Sequence, residues 1–351
     1  MANREVFDLH DADCRGRARE VLARAGQATE RQDPSSTELA DFLAGALKNS
    51  ATVWTYCPAD ERLDCARTAL LTTQTVGGKG VWHAVGLSGH SQFLAEKVNP
   101  LPVEQVRLKI DAAQTVYRDS VRRTAELPRA LTERAVPCER YFRMPLEDVE
   151  RLFAMAHSRA SEAAAFEDPW GFGVSSYEIE RLSRATSWIS EHVSPGSGLL
   201  LEVGSCEGAH TDLLLDAGHR LVACEPAAEF RRRLIGRVRG AVPVIASTLE
   251  ELAASRSEPA DAYLLLEMLY YLEDPAVVDD LPTDMIFISG PPTDPAYDAV
   301  HAWLSRSRVW MVRDQRQLIE PRFDFLCHDK VYQCKPGSLG LFCTRRSSKH
   351  P

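Results

Sequence analysis

Apolar and polar positions follow two different rhythms in the two halves of this chain. In the second half, Leu199 to Val203 is an apolar run that holds one acid, Glu202, too short for a buried helix and bounded by turn formers. That pattern predicts a strand covered on both faces. Gly204 and Gly208 follow, then an amphipathic segment, Ala209 to Asp216, closed by Gly218. A second apolar run, Arg220 to Cys224, ends on Glu225. Strand, glycine turn, helix, strand and acid is the order of a mononucleotide-binding βαβ unit. Further strands are expected over Val242 to Ala246, Ala262 to Leu266 and Met285 to Ser289, with helices over Tyr177 to Glu191, Ala227 to Val238 and Ala296 to Ser305. Val309 to Val312, Phe323 to His328, Val331 to Cys334 and Leu339 to Thr344 are strand-like, and the last two are expected to form an antiparallel end of the sheet.

The first half reads as mainly helical. Cys14 to Arg31, Thr37 to Leu47, Asp60 to Gln74, Val103 to Glu126 and Pro145 to Ala165 carry apolar residues at helical spacing. Val76 to Ser91 holds five glycines and reads as loop. These patterns divide the chain into a helical domain, 1–166, and an α/β domain, 167–351. The helical domain is expected to serve as lid, acceptor platform or oligomerisation surface, a homodimer included.

Composition narrows the classes. The chain has 351 residues, 44% of them hydrophobic, and a net charge of −9. Enough apolar material is present for two domains, and the acidic balance argues against nucleic acid or an anionic membrane as partner. No stretch approaches the apolar length of a membrane span. Met1 to Asp13 lacks an apolar signal core, and nine scattered cysteines suit reduced thiols, so a cytoplasmic location is expected. Cys57, Asp60, Glu61, Asp64 and Cys65 lack zinc spacing. Cys327, His328, Asp329 and Cys334 read as sheet residues, and no metal is expected. His83 and His90 flank the glycine-rich loop, as surface residues or substrate contacts.

The chemistry of the glycine turn separates two cofactor classes. A dinucleotide site needs Gly-x-Gly-x-x-Gly, with the pyrophosphate at a helix N-terminus. Here the order is Glu202-x-Gly204-x-x-x-Gly208, with Cys206 in place of the second glycine. An acid at Glu202 repels a pyrophosphate and suits a cationic cofactor. S-adenosylmethionine carries an ammonium and a sulfonium and no phosphate. Glu225, at the tip of the next strand, can accept the hydroxyls of a ribose.

Three stretches resemble the class I S-adenosylmethionine-dependent methyltransferases, and more narrowly the nodulation protein S (NodS) type of small-molecule N-methyltransferase. They are Glu202-Val203-Gly204-Ser205-Cys206-Glu207-Gly208 with Thr211, Asp168-Pro169-Trp170-Gly171-Phe172 with Ser176-Tyr177-Glu178, and Asp261 through Leu272. The resemblance covers about the last half of the chain. It implies a Rossmann-like methyltransferase sheet, mostly parallel with an antiparallel end strand, and S-adenosyl-L-methionine as cofactor. It implies Trp170, Tyr177, Glu202, Gly204, Ser205, Gly208, Glu225, Pro226, Ser247, Thr248, Leu249 and Glu267 as cofactor residues. Trp170, Phe172 and Tyr177 could instead form a hydrophobic staple for the following helix, and Ser247-Thr248-Leu249 also fits a helix N-cap. Where the family commonly places an Arg before the Tyr-Glu pair, this chain has Gly173-Val174-Ser175-Ser176; Arg181 is a candidate for the cofactor carboxylate, and equally fits a surface arginine.

Methyl transfer from a sulfonium is an in-line displacement, in which orientation is the protein's main contribution. Glu267, Tyr270, Tyr271 and His210 are the candidate catalytic residues, with His301 a further nearby base. No base–orienter pair is visible, which favours an amine over a hydroxyl acceptor. The expected function is N-methylation of an amino sugar or secondary metabolite. O-methylation of a natural product, an NAD-linked oxidoreductase and a non-catalytic binding module are the alternatives.

Overall fold

The computed structural model describes residues 36–47, 52–60, 63–78, 80–85, 91–108, 138–158, 160–255, 259–327 and 330–346. The chain divides into two compact units, Met1–His157 and Ser158–Pro351.

Unit 1 contains helices α1 (Ser36–Leu47), α2 (Leu63–Val76) and α3 (Leu146–His157). Its strands are β1 (Val53–Thr55), β2 (Val81–Ala84), β3 (Ser91–Phe93), β4 (Lys97–Pro100) and β5 (Cys138–Phe142). The helical reading is recovered in part, and beside the helices stands a four-stranded sheet of order β1-β2-β5-β4 that the pattern missed. Strands of three to five residues offer too few alternations to register as a period of two. The segment Val76 to Ser91, read as loop, holds β2, and His83 lies in it rather than on the surface. His83 is fully buried, donates from Nδ1 to the Tyr56 carbonyl at 3.1 Å, and burial pushes its pKa down to about 4. The expected helix Val103 to Glu126 is described only over 103–108, where it is helical, and Cys14 to Arg31 and His90 lie outside the described residues.

Unit 2 begins with α4 (Ala160–Ala163) and α5 (Ser176–His192). It continues β6 (Leu199–Val203), α6 (Ala209–Asp216), β7 (Arg220–Cys224), α7 (Ala228–Val238), β8 (Val244–Ile245), α8 (Leu249–Ser255) and β9 (Ala262–Leu266). After two 3₁₀ turns come β10 (Met285–Gly290), α9 (Pro295–Arg306), β11 (Trp310–Ile319), β12 (Arg322–Leu326), β13 (Val331–Lys335) and β14 (Ser338–Arg345). The main sheet has the order β8-β7-β6-β9-β10-β14-β11. Its first five strands are parallel, and β14 runs antiparallel to both neighbours. The expected antiparallel end is therefore β14 with β11. Val331 to Cys334, expected in that end, instead pairs outside the main sheet with β12.

Alternation along each strand feeds two cores. Leu200, Ala262, Leu264 and Phe287 pack under α5, α6 and α7, against Trp188, Leu214 and Leu234. Leu201, Val203, Tyr263, Leu265, Ile286 and Ile288 pack under α8 and α9, against Leu252, Tyr297 and Trp303. A sheet buried on both faces needs strands that are apolar almost throughout, as β9 is and as β6 is apart from Glu202. The carboxyl ends of the parallel strands all open on one edge, and the chain reverses its winding between β6 and β9, which is where open α/β sheets bind ligands. Among the described residues, no helix is long and apolar enough to cross a membrane.

Candidate active site

The turn after β6 is tight. Gly204 and Ser205 both donate from the backbone to the Cys224 carbonyl of β7, at 2.8 and 3.0 Å. Gly204 has φ +72°, and a Cβ placed there would meet nothing nearer than Met268 Cβ at 3.9 Å. The glycine thus leaves empty a position that a Cβ could occupy without a clash, so its backbone is uncovered on that side. Gly208 differs. At φ +82° its Cβ would fall 2.7 Å from Leu234 Cδ1 and 3.2 Å from Arg237 Cδ, so this glycine is required by the packing of α6 on α7. That steric requirement holds with or without a cofactor beside the turn.

Three acids ring the turn, in different states. Glu202 is buried, and both oxygens are occupied: His210 donates from Nδ1 at 3.0 Å, and Thr211 donates its hydroxyl. These bonds tie Glu202 to the first turn of α6 and leave a second lone pair on each oxygen. His210, a candidate catalytic residue, is buried with Nδ1 on Glu202, and its Nε2 has no hydrogen-bond partner among the described residues. Glu225 accepts from the Cys206 and Ala227 backbones at 2.9 and 2.8 Å, which fixes its carboxylate beside the turn. Burial pushes the Glu225 carboxyl above its usual range, against these two donors. Each of its oxygens keeps a second lone pair for a ligand hydroxyl. Glu207 accepts from the Asp168 backbone at 3.0 Å and pairs with Arg233 at 2.7 Å. It clips the segment before α5 to the glycine turn.

That segment is bent by φ +43° at Asp168 and φ +74° at Gly171. The Asp168 carboxylate accepts from the Phe172 and Gly173 backbones, at 2.6 and 3.0 Å. Trp170 packs on Phe230 of α7, 5.3 Å between centroids, and beside Phe172 at 5.8 Å. These ring contacts lie with Phe172 and with α7 rather than with the following helix α5. Tyr177 is buried in the first turn of α5, which Ser175 caps by accepting from the Glu178 backbone.

Glu267 follows β9 at φ +53°, a left-handed conformation that costs energy in a non-glycine residue and turns its side chain toward the strand tips. Its Oε1 accepts from Ser289 at 3.1 Å and from Ser338, and lies 3.9 Å from Arg181 Nη1. Oε2 has no partner among the described residues. Arg181 also binds Glu178 at 2.8 Å, and Glu178 binds Lys335 at 3.2 Å. Charges alternate along this chain, Lys335, Glu178, Arg181, Glu267, and its open end is a carboxylate oxygen. Burial opposes charge on Glu178, yet Arg181 and Lys335 outweigh it and hold the carboxyl below its usual range. Burial wins at Glu267, whose carboxyl is raised although Arg181 and Ser338 pull it down. Tyr270 and Tyr271 stand together, 4.6 Å between centroids. Burial raises both phenols, so each is a hydrogen-bond donor at neutral pH rather than a base.

The adenine-side residues divide. Thr248 and Glu251 form a reciprocal capping box at the start of α8, Thr248 N to Glu251 Oε2 at 2.9 Å and Glu251 N to Thr248 Oγ1 at 3.2 Å. The Ser247 carbonyl accepts from the Cys224 thiol at 3.0 Å, Leu249 is core, and exposed Pro226 accepts through its carbonyl from Arg231. His301 stacks edge-on against Tyr297. Residues absent from the sequence reading are Lys335, Ser289 and Ser338. Each reaches the site from a distant strand, and no local motif announces it.

No protein family profile matches the sequence, and no curated protein matches it. Solved structures do resemble it. The N-methyltransferase NodS from Bradyrhizobium japonicum WM9, in complex with S-adenosyl-L-homocysteine, is 18% identical, with 52% of this chain and 95% of that one covered and a TM-score of 0.41. Magnesium protoporphyrin IX methyltransferase (ChlM) from Synechocystis PCC 6803, with bound SAM, is 13% identical over 48% of this chain and 81% of that one, TM-score 0.37. The 1,6-didemethyltoxoflavin-N1-methyltransferase of Burkholderia thailandensis is 18% identical over 48% and 79%, TM-score 0.36. The fold is that of the class I methyltransferases. The assignment rests on this chain's own strand order, in which antiparallel β14 inserts between β10 and β11. An all-parallel dinucleotide fold lacks that insertion.

Proposed function

We propose that this chain is an S-adenosylmethionine-dependent methyltransferase acting on an amine of a small molecule, an amino sugar or secondary metabolite. The observation that carries the reading is the acid-lined turn at the switch point, with room for a Cβ left empty at Gly204. S-adenosylmethionine, when bound, supplies a methyl group on a sulfonium. Gly204 lets backbone approach the cofactor, Glu225 is placed for ribose hydroxyls, and Arg181 lies between two acids where a carboxylate can compete for it. Oε2 of Glu267 accepts a hydrogen from the acceptor amine and orients its lone pair, and Tyr270 and Tyr271 donate beside it. The raised Glu267 carboxyl suits a donor that arrives with a proton to share. The segment around Asp168, held to Glu207, helps exclude water from that edge.

Calorimetric titration with S-adenosylhomocysteine tests this. Binding is expected, weakened about tenfold or more in Glu225→Ala, because hydrogen bonds to a charged group contribute about 1.5–3 kcal/mol. No binding of S-adenosylhomocysteine, with tight binding of NAD, overturns the reading.

A further inference from the structure

A second cation-binding feature lies in unit 1, on the outward face of its sheet. The period of two along β1, β2 and β5 sends Val53, Val81, His83 and Phe142 inward. It turns Trp54, Trp82 and Tyr141 outward, and Trp54 is 44% exposed. Trp54 and Trp82 sit side by side in register, 5.5 Å between centroids and within 14° of parallel. Tyr141 meets Trp54 at 4.5 Å and 78°. The two indoles stack, and the phenol meets Trp54 edge-on beside them.

This corner already holds a cation. Lys97 Nζ lies 4.7 Å from the Trp54 centroid and 5.8 Å from that of Trp82. No carboxylate among the described residues forms an ion pair with it. Glu139 accepts from the Tyr141 hydroxyl at 2.7 Å. Burial and then Glu139 raise the Tyr141 phenol, which keeps it neutral. The remaining neighbour, Arg143, covers Trp82 at 4.4 Å and is neutralised by Glu96 at 3.3 Å.

We infer that this corner is a binding site for a quaternary or polymethylated ammonium group, with Lys97 as its resident placeholder. A primary ammonium is compact and strongly hydrated, so it gains little by leaving water for an aromatic surface. Methyl groups on nitrogen spread the charge, shed water readily and add apolar contact, while the rings supply the same cation–π attraction. Lys97 sits on a flexible four-carbon stem and swings away without disturbing the sheet. The site recognises a ligand and changes no bond, so it stands whether or not the other unit transfers methyl groups.

The test is a titration of the full chain with tetramethylammonium chloride at constant ionic strength, read by the indole N–H resonances of Trp54 and Trp82. Choline and N-acetyl-trimethyllysine amide, as further arms, distinguish a free metabolite from a modified side chain as the source. Saturable shifts of both indoles are expected, with Lys97→Ala binding more tightly than the native chain. The neutral isostere 3,3-dimethylbutanol is expected to bind about fivefold more weakly, since an exposed cation–π contact contributes about 0.5–1 kcal/mol. Trp54→Ala should abolish the Trp82 shift, and Trp54→Phe should restore part of it. Equal response to the neutral isostere overturns the inference. So does the lack of saturable shifts in both the native chain and Lys97→Ala.

Discussion

Gly208→Ala separates the two jobs a glycine in this turn could have. The substituted residue would sit at φ +82°, where an L side chain costs about 1–2 kcal/mol. Its Cβ would fall 2.7 Å from Leu234 Cδ1, far inside contact distance. Leu234 is fully buried between α6, α7 and the sheet, so it cannot step aside into solvent. Overpacking of this kind costs about 1–3 kcal/mol. The sum is about 2–5 kcal/mol, a large share of a domain's stability. Urea unfolding of the full chain, with S-adenosylhomocysteine calorimetry in parallel, reads both roles. The expectation is a large loss of stability with residual affinity in the folded fraction. A double-mutant cycle sharpens it, because Leu234→Ala opens the space the new methyl needs. The double mutant should be more stable than the sum of the single losses requires. If Gly208→Ala keeps its stability but loses cofactor affinity, the steric argument is wrong and the ligand imposes the glycine.

Other outcomes follow from the same geometry. Thr248→Ala removes one arm of the capping box and should cost about 1 kcal/mol of stability, measured by denaturant midpoint, as N-cap losses do. Cys206 holds φ +50° in the turn, so Cys206→Gly should be tolerated and leave S-adenosylhomocysteine affinity nearly unchanged. A tenfold loss would show that the thiol itself contacts the ligand. Glu267 carries a pKa raised above its ordinary 4.5, so it binds its proton more tightly folded than unfolded. Its contribution to stability is complete below 4.5 and is lost as pH rises through the elevated folded value. Native stability should therefore fall relative to Glu267→Gln as pH rises from 4.5 toward neutrality, and a flat difference refutes the burial argument.

Much of unit 2 is legible in the chain itself. Leu199–Val203 and Ala262–Leu266 are apolar at every position, or nearly so, because each strand is covered on both faces, and that environment writes itself into consecutive residues. The glycine turn and Glu225 are likewise local features, set by backbone conformation and by the end of a strand. Unit 1 was less legible because β1, β2 and β4 are three or four residues long, with indoles and a lysine on one face, so they present no clear alternation. The sequence by itself determined the βαβ order, the acids at the strand tips and the unsuitability of the turn for a pyrophosphate. Tertiary structure alone decided which partners each acid takes. Glu202 lies in β6 and Glu267 follows β9, yet His210 and Thr211 engage both oxygens of one while Ser289, Ser338 and Arg181 engage a single oxygen of the other. The reason is distance along the chain. Glu202 meets partners eight and nine residues away, whereas Ser338 reaches Glu267 across 71, and only the packed sheet brings such groups within a hydrogen bond of each other.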